Sequence, residues 1–293
     1  MILITGATGN VGRPLLDLLT AQGAAVRAVT RDPAGAGLPA GTDVVRGDPS
    51  RPETLADALE GVAALFLNPV AVQDAYRDLL ALARERGVRR VVALSALNVD
   101  DDLADQPSRL RGASHQEVEE ALDASGMAWT ALRSGWYASN TLRMWAGQLR
   151  AGDTVRGPYA ESAWAPVHET DIAGVAARAL LTDELLGRRP VLTGPRSLTF
   201  REMVEILGAA WGRLLRFEEI PPHVAKEAML RGGFPHSEAF IDGMLALQAK
   251  TVGRPALVTD EVETILGRPA LTFAAWALDH KDAFLGAALP ARA

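Results

Sequence analysis

The chain has 293 residues, 48% of them hydrophobic, with a formal net charge of −6 and no cysteine. This length suffices for one large α/β domain, the negative charge without a basic cluster argues against a nucleic-acid partner, and the lack of cysteine excludes disulfides and thiol chemistry. No apolar stretch reaches the ~18 residues that a membrane-spanning helix needs, and the chain opens on a strand pattern, so we expect a cytoplasmic protein without a membrane partner.

The first predicted element is a strand, Ile2–Ile4, which runs directly into a turn with three glycines. A helical pattern of leucines follows, and strand, glycine turn and helix in this order are typical of a dinucleotide-binding fold. Gly6 can adopt backbone angles closed to other residues, Gly9 has no side chain to keep a pyrophosphate away, and Gly12 lets the helix approach the strand. The alternative is a purely structural turn. The expected cofactor contacts are Gly6, Thr8, Gly9, Asn10, Val11 and Gly12.

The second predicted strand, Val26–Thr30, ends at Arg31. NAD-binding folds carry an acidic side chain near this point for the ribose hydroxyls, whereas an arginine suits a 2′-phosphate. Arg31 therefore favours NADP as the cofactor, and Asp32 keeps NAD open as the alternative. A third strand, Asp43–Arg46, leads to Asp48, which either accepts a hydrogen bond from the adenine amine or closes a turn.

Three further strand patterns, at 63–67, 90–95 and 129–132, complete a regular alternation with helices. The helices are predicted at 52–60, 72–86 and 108–124. This alternation predicts an α/β fold, a Rossmann-type doubly wound parallel sheet. The carboxyl ends of its strands form the edge where cofactors bind. Polar or aromatic side chains follow these ends: Asn68, Ser95, Asn98, Trp136, Tyr137 and Asn140.

The regular alternation ends after residue 140. We expect an NAD(P)-binding core over residues 1–150 and a smaller, mostly helical substrate-binding lobe over 151–293, interleaved with the core. Short strands near 164–167 and 190–193 are the segments expected to return to the sheet.

Two helix starts are predicted within this second lobe. Asp171 is the expected N-cap of a helix over 172–181, and His168 before it is expected to support that helix start. Thr199 and Glu202 have the spacing of a capping box at the start of another helix.

Further motifs extend along the whole chain, at residues 5–12, 30–33, 46–48, 125–126, 132–136, 170–173, 192–195, 198–200 and 266–269, the last of them before Phe273. In this order they resemble the NmrA-like branch of the atypical short-chain dehydrogenase/reductase superfamily. This resemblance implies a Rossmann core, NAD(P) binding and a C-terminal lobe that closes over the substrate. The family includes quinone reductases, tailoring enzymes of aromatic natural products, and redox-sensing regulators without catalysis.

The wider superfamily uses a Tyr-x-x-x-Lys dyad on the helix after strand five, and this chain lacks it. No lysine precedes residue 226, so the dyad is excluded from that helix. In extended members the lysine stands four residues before a glutamate, which is the spacing of His115 and Glu119. The resemblance then places His115 at the lysine position and Arg111 at the tyrosine position.

Hydride transfer from a nicotinamide requires mainly correct positioning of the reactants. An ordinary ketone also needs an acid, whereas a quinone or conjugated aromatic acceptor gives a delocalised anion and needs one less. His115, Ser95 and Tyr137 are the candidate catalytic residues, and His115 could supply a proton near neutral pH. His115, Ser95 and Asn68 are also expected cofactor contacts; for His115 the alternative is simple packing on its helix. No second histidine pair has metal-ligand spacing, so we expect no metal.

The substrate pocket is expected between the carboxyl edge of the sheet and the second lobe. Two functions remain open at this point. One is an NAD(P)H-dependent oxidoreductase, monomeric or homodimeric, acting on a quinone-like or aromatic polyketide substrate. The other is a non-catalytic NAD(P)-binding sensor. The candidate substrate contacts are Asn98, Trp136, Asn140, Trp164, Phe234 and His236.

Overall fold

Seven parallel strands form the central sheet of the computed structural model, which describes residues 1–231 and 237–286. The strand order is β3-β2-β1-β4-β5-β6-β9, so the chain winds outward in both directions from β1. This is the predicted doubly wound arrangement, and its switch point lies between β1 and β4. The strands are β1 (Ile2–Ile4), β2 (Val26–Thr30), β3 (Asp43–Arg46), β4 (Ala64–Leu67), β5 (Arg90–Ala96), β6 (Ala128–Ser134) and β9 (Val191–Leu192).

Twelve helices accompany the strands in the part of the chain that the structure describes. They are α1 (Gly12–Ala21), α2 (Pro69–Val72), α3 (Tyr76–Glu85), α4 (His115–Ala124), α5 (Asn140–Ala151), α6 (Glu169–Leu181), α7 (Phe200–Trp211), α8 (Pro222–Arg231), α9 (Glu238–Lys250), α10 (Glu261–Leu266), α11 (Phe273–Asp279) and α12 (Lys281–Leu285). None of these helices is long and apolar enough to cross a bilayer.

Both faces of the sheet are buried because helices cover each of them. Along β1, Ile2 and Ile4 belong to the core shared with α1, α6 and α10, whereas Leu3 belongs to the core shared with α3 and α4. Phe66 and Leu65 alternate between the same two cores on β4. Alternate residues of a strand point to opposite faces, so a sheet covered on both sides requires apolar residues at every position.

A third core lies in the second lobe, between α5, α7, α11 and α12. Its largest side chains are the three tryptophans Trp145, Trp211 and Trp276. Two small sheets border it, β7 (Thr154–Gly157) with β11 (Arg216–Glu219) and β8 (Ala163–Trp164) with β10 (Leu198–Thr199).

The two segments expected to rejoin the main sheet behave differently. β9 pairs in parallel with β6, whereas the segment 164–167 does not enter the sheet. Trp164 is hydrogen-bonded into the antiparallel pair with β10, and Pro166 has no N–H to donate to a ladder. Only Val167 approaches the sheet, through a single bridge to Tyr137 beyond the end of β6.

Three predicted helices are wrong in extent. The helix predicted at 72–86 begins only at Tyr76, as α3, because Gln73 leaves the helical conformation (φ +54°). The segment 52–60 forms only a 3₁₀ turn, Pro52–Leu55, followed by irregular turns. The segment 108–124 divides into a 3₁₀ turn, Pro107–Arg111, and α4, because Gly112 takes a left-handed conformation (φ +78°) that ends the turn.

The predicted cap of α6 is also wrong. His168 is the N-cap, and its Nδ1 accepts a hydrogen bond from the Thr170 N–H, as expected of a side chain that supports the helix start. Asp171 lies inside the first turn, where it accepts from the Leu271 N–H and pairs with Arg268. Its carboxylate therefore holds the link between α10 and α11 against α6.

Candidate active site

The glycine turn between β1 and α1 is tightly closed. The Gly9 N–H donates to the Gly6 carbonyl at 2.9 Å, and Gly6 has φ +68°. A Cβ at Gly12 would lie 2.1 Å from the Gly6 oxygen, and one at Gly6 would lie 2.6 Å from Asn68 Nδ2. The fold itself therefore requires glycine at positions 6 and 12.

Gly9 differs from its two partners. A Cβ at this position would meet only the Gly6 oxygen, at 3.1 Å, a contact that a small backbone shift can relieve. The fold thus demands less of Gly9, and an open surface at the turn fits a dinucleotide, whose pyrophosphate needs close approach to the backbone.

The other turn residues divide by exposure. Thr8 and Asn10 are exposed, whereas the Val11 side chain is buried in the core, which leaves only its backbone for a ligand. The Asn10 amide donates to Ser139 Oγ at 3.0 Å, and the Ser139 N–H donates to the buried Glu169 carboxylate. These bonds tie the glycine turn to the second lobe.

The predicted adenosine end lies at the carboxyl ends of β2 and β3. Asp48 closes a turn, since its carboxylate accepts from the N–H and hydroxyl of Ser50 at 3.1 and 2.7 Å. The hydrogen bond from the Ser50 hydroxyl lowers the pKa of Asp48, with further help from the charge of Arg31. Arg13 donates to two carbonyls of the loop after β2. Arg31 is exposed and makes no hydrogen bond or ion pair to any described residue.

Asn68 stands at the switch point, directly after β4. Its backbone N–H donates to Thr5 Oγ1 at 2.9 Å, and its side-chain oxygen accepts from the Val70 N–H as the N-cap of α2. The amide nitrogen lies against Gly6 and forms one wall of the glycine turn.

His115 is the first residue of α4, close to the carboxyl end of β5. Its Nδ1 is buried without a hydrogen-bond partner among the described residues. Burial lowers the pKa of His115, and this outweighs the hydrogen bond to the Leu94 carbonyl and the charge of Glu119, which act in the opposite direction. The imidazole is therefore neutral at pH 7.

Ser95 does not face an open cleft. Its hydroxyl donates to Glu119 at 2.6 Å, and the same carboxylate accepts from Arg133 at 2.7 Å and from Arg189 at 2.8 Å. Burial raises the pKa of Glu119, but hydrogen bonds from Arg133, Ser95 and Arg189 reverse this effect, and the net pKa is lowered. The geometry favours a positioning role for Ser95, and its catalytic role stays a prediction.

No local sequence pattern predicts that Arg133 and Arg189 both bind the Glu119 carboxylate. The four-residue spacing from His115 draws attention to Glu119, but Arg189 lies seventy residues further along the chain than Glu119. The pairing of β9 with β6 brings Arg189, two residues before β9, to Glu119 on α4.

Aromatic side chains line the region beyond β6. The rings of Trp136 and Trp164 are 5.8 Å apart, and Trp164 stacks on Phe200 at 6.5 Å. Both tryptophans remain half-buried, so each presents part of its ring. The Trp164 indole N–H donates to Ser162 Oγ, which fixes its plane.

Tyr137 is half-buried like its neighbour Trp136, but it packs against a different core. Burial raises the pKa of Tyr137 to about 12, against the opposing effect of the Ser134 hydroxyl. The phenol packs against the core between the sheet, α1 and α6 and stays protonated at neutral pH. Its catalytic role also stays a prediction.

Two polar candidates shape loops at this edge. Asn98 donates to the Asp105 carbonyl at 2.6 Å, and Asn140, the first residue of α5, accepts from Arg143 at 3.4 Å. Phe234 and His236 lie outside the described residues. Within the described ranges, no group of three or more histidine or acidic side chains is arranged to hold a metal.

The comparisons with known proteins agree along the chain. Residues 6–183 match the family described as NAD(P)H-binding. The chain is 36% identical over 289 residues to the (4-alkanoyl-5-oxo-2,5-dihydrofuran-3-yl)methyl phosphate reductase of Streptomyces griseus, covering 97% of this chain and 99% of that protein. It is 36% identical over 292 residues to the NAD(P)H azoreductase of Xenophilus azovorans, covering 97% of this chain and 99% of that protein.

A solved structure is also similar. The NADPH-dependent quinone oxidoreductase QOR2 of Escherichia coli, complexed with NADPH, is 25% identical to this chain, with a TM-score of 0.79. The match covers 96% of this chain and 99% of that one.

Proposed function

This chain belongs to the NAD(P)H-binding family and to its NmrA-like branch, and we propose that it reduces a quinone-like or related aromatic acceptor with NADPH. The chain is an NAD(P)H-dependent oxidoreductase, since relatives that match it over nearly its whole length are reductases. The observation that carries the proposal is the open face of Gly9 at the switch point between β1 and β4. The half-buried Trp136 and Trp164 support it, because they lie beyond the end of β6, two strands from β4 in the same sheet.

The glycine turn and the first turn of α1 bind the pyrophosphate in this proposal, because helix N–H groups and the helix dipole favour an anion there. The cofactor supplies the hydride when it is bound. Trp136 and Trp164 hold a flat acceptor, whose two faces suit stacking on aromatic rings. The relatives named azoreductase and quinone oxidoreductase support an acceptor with a conjugated group, and an aromatic polyketide has the same character.

Arg31 is proposed to select NADPH over NADH. Its guanidinium is exposed at the end of β2, where a 2′-phosphate would lie. We expect Arg31→Gln to raise the Kd of NADPH about tenfold and to leave that of NADH within about twofold, because only the phosphate contact is lost. Fluorescence titration with both nucleotides measures the two Kd values.

Arg89→Gln, the same charge change at the opposite edge of the sheet, is the control. Equal weakening of both nucleotides by Arg31→Gln would contradict the assignment.

The reduction proceeds in this proposal without a tyrosine acid. A quinone yields a delocalised anion after hydride transfer, so no strong acid must act in the same step. His115 is proposed to bind a ribose hydroxyl of the cofactor or to pass a proton to the product, since its buried Nδ1 has no protein partner in the described part of the chain.

Replacing His115 by alanine is expected to slow turnover about 10- to 100-fold. The exposed His223 on α8 provides the control, and His223→Ala should turn over at the rate of the unchanged protein. A pH profile adds a second readout. Because burial lowers the pKa of His115, any rate increase that depends on its protonated form appears only below its ordinary value near 6.5. Full activity of His115→Ala would remove His115 from the reaction.

The proposed function is tested by mixing the protein with NADPH or NADH and a panel of quinones and azo dyes, and following loss of the reduced nicotinamide absorbance. We expect NADPH consumption with at least one quinone-like acceptor. Tight nucleotide binding without consumption by any acceptor would instead support the non-catalytic sensor.

A further inference from the structure

A chain of three hydrogen bonds connects the glycine turn with α11. The Asn10 amide donates to Ser139 Oγ at 3.0 Å, and the Ser139 N–H donates to Glu169 Oε1 at 2.9 Å. The other carboxylate oxygen, Oε2, accepts from the Trp276 indole N–H at 2.9 Å. We call these four residues the Glu169 link. It joins the glycine turn to the N-cap of α5, the first residue of α6 and the middle of α11.

The inner part of the Glu169 link is fixed by burial. Ser139, Glu169 and Trp276 are all buried, and Trp276 stacks on the ring of Phe273 at 5.4 Å. A buried carboxylate needs hydrogen-bond donors, and here each oxygen has a donor from a different element. The outer end of the link is Asn10, which is exposed on the glycine turn. A fixed anchor in the second lobe therefore holds a residue of the cofactor turn.

Asn10 precedes Val11, the N-cap of α1. Within the described ranges, the backbone N–H groups of Asn10 and Val11 donate to no protein acceptor. The proposed function assigns N–H groups at this helix start to the pyrophosphate. Gly9, the preceding residue, gives the backbone more conformational freedom here than any other residue would. The bond from the Asn10 side chain to Ser139 limits this freedom.

We propose that Ser139 and Glu169 are positioning residues, which hold Asn10 so that the backbone N–H groups of the glycine turn point at the pyrophosphate. The inference rests on the proposed function, because it takes the glycine turn as the nucleotide site. Glu169 acts through Ser139, and Ser139 acts through the Asn10 side chain.

Removal of the Ser139 hydroxyl tests the outer bond alone, because Ser139→Ala retains the N–H that binds Glu169. We expect Ser139→Ala to raise the Kd values of NADPH and NADH by the same factor, about 5- to 10-fold, since both nucleotides carry the pyrophosphate. Fluorescence titration measures both values.

Ser125→Ala is the matched control. The Ser125 hydroxyl makes two hydrogen bonds to backbone groups ahead of β6, at the opposite edge of the sheet from the glycine turn. Its loss should leave both Kd values within about twofold of those of the unchanged protein.

A second pair of variants separates positioning from general stability. Glu169→Gln exchanges one acceptor oxygen for an NH₂ group, which cannot accept the N–H of Ser139 or Trp276. Glu169→Gln should therefore lower the Tm both in the unchanged protein and in the Asn10→Ala protein. Asn10→Ala and Glu169→Gln should each weaken NADPH binding about 5- to 10-fold. In the Asn10→Ala protein, Glu169→Gln should weaken it by no more than about a further twofold, because the link no longer reaches the turn.

An unchanged Kd of NADPH in Ser139→Ala would overturn the inference. Equal weakening of NADPH binding by Glu169→Gln with and without the Asn10 side chain would also overturn it, since Glu169 would then act on the fold as a whole. A loss of NADPH affinity without loss of NADH affinity in Ser139→Ala would contradict an effect on the pyrophosphate. The proposed function has a separate readout, consumption of NADPH by a quinone in the unchanged protein, so the two can fail independently.

Discussion

Replacing Gly9 by valine is expected to abolish NADPH binding at ordinary concentrations, with a rise in Kd of roughly 100-fold. A branched side chain at this position fills the face of the turn that the pyrophosphate must approach. Overpacking costs about 1–3 kcal/mol, which corresponds to roughly 5- to 150-fold in affinity. The fold should survive, because the new Cβ meets only the Gly6 oxygen, at 3.1 Å. Nucleotide titration and thermal unfolding of the same samples separate the two effects.

Gly147→Val is the matched control. Gly147 lies on the exposed side of α5, and a Cβ there meets no atom within 4 Å. The control should bind NADPH as the unchanged protein does. If Gly9→Val bound NADPH with unchanged affinity, the pyrophosphate would not lie on this turn, and the proposed function would lose its main support.

Replacing Glu119 by alanine is expected to lower the free energy of unfolding by about 3–5 kcal/mol. The carboxylate is 5% exposed and accepts hydrogen bonds from Ser95, Arg133 and Arg189. Its removal leaves two partly buried guanidinium groups and a buried hydroxyl without this partner, although each arginine keeps a second, exposed aspartate. Chemical denaturation at neutral pH measures the loss.

Glu120 is the natural control for that experiment, since it is the next residue on α4 and its side chain is exposed. Glu120→Ala should change the free energy of unfolding by no more than about 0.5 kcal/mol. The pH dependence gives an independent check. Because the folded pKa of Glu119 is lowered, its contribution is fully present above its unfolded value of 4.5 and is lost as the pH falls through the folded pKa. The gap between Glu119→Ala and the unchanged protein should therefore shrink in acid; a constant gap would show that packing, not charge, is responsible.

The sequence predicts those elements whose cause is local. The strands β1 and β4 are apolar and buried at every position, because helices cover both faces of the sheet where these two strands lie. The capping box of Thr199 and Glu202 involves residues three apart and forms as expected. The glycine turn is recognisable because Gly6 and Gly12 are needed by backbone geometry that no other residue satisfies.

Features that depend on distant partners were missed or misjudged. Asp171 has the residue type of a helix cap, but its partners Arg268 and Leu271 come from the far end of the chain. Ser95 sits at a strand end on the cofactor edge, yet the direction of its hydroxyl is decided by Glu119, which α4 brings beneath it. The sequence therefore predicts where a residue lies along a strand or helix, whereas tertiary packing determines which group its side chain contacts.

The pairing of β9 with β6 has a consequence for how this chain can be divided. The family match ends at residue 183, ahead of β9, although Val191 and Leu192 complete the outer margin of the sheet. An excised segment ending there would leave the backbone of β6 bare along that margin, a template for self-association. It would also take away the Trp276 indole that donates to the buried Glu169 carboxylate. We therefore expect that the matched segment 6–183 does not fold stably without the residues that follow it.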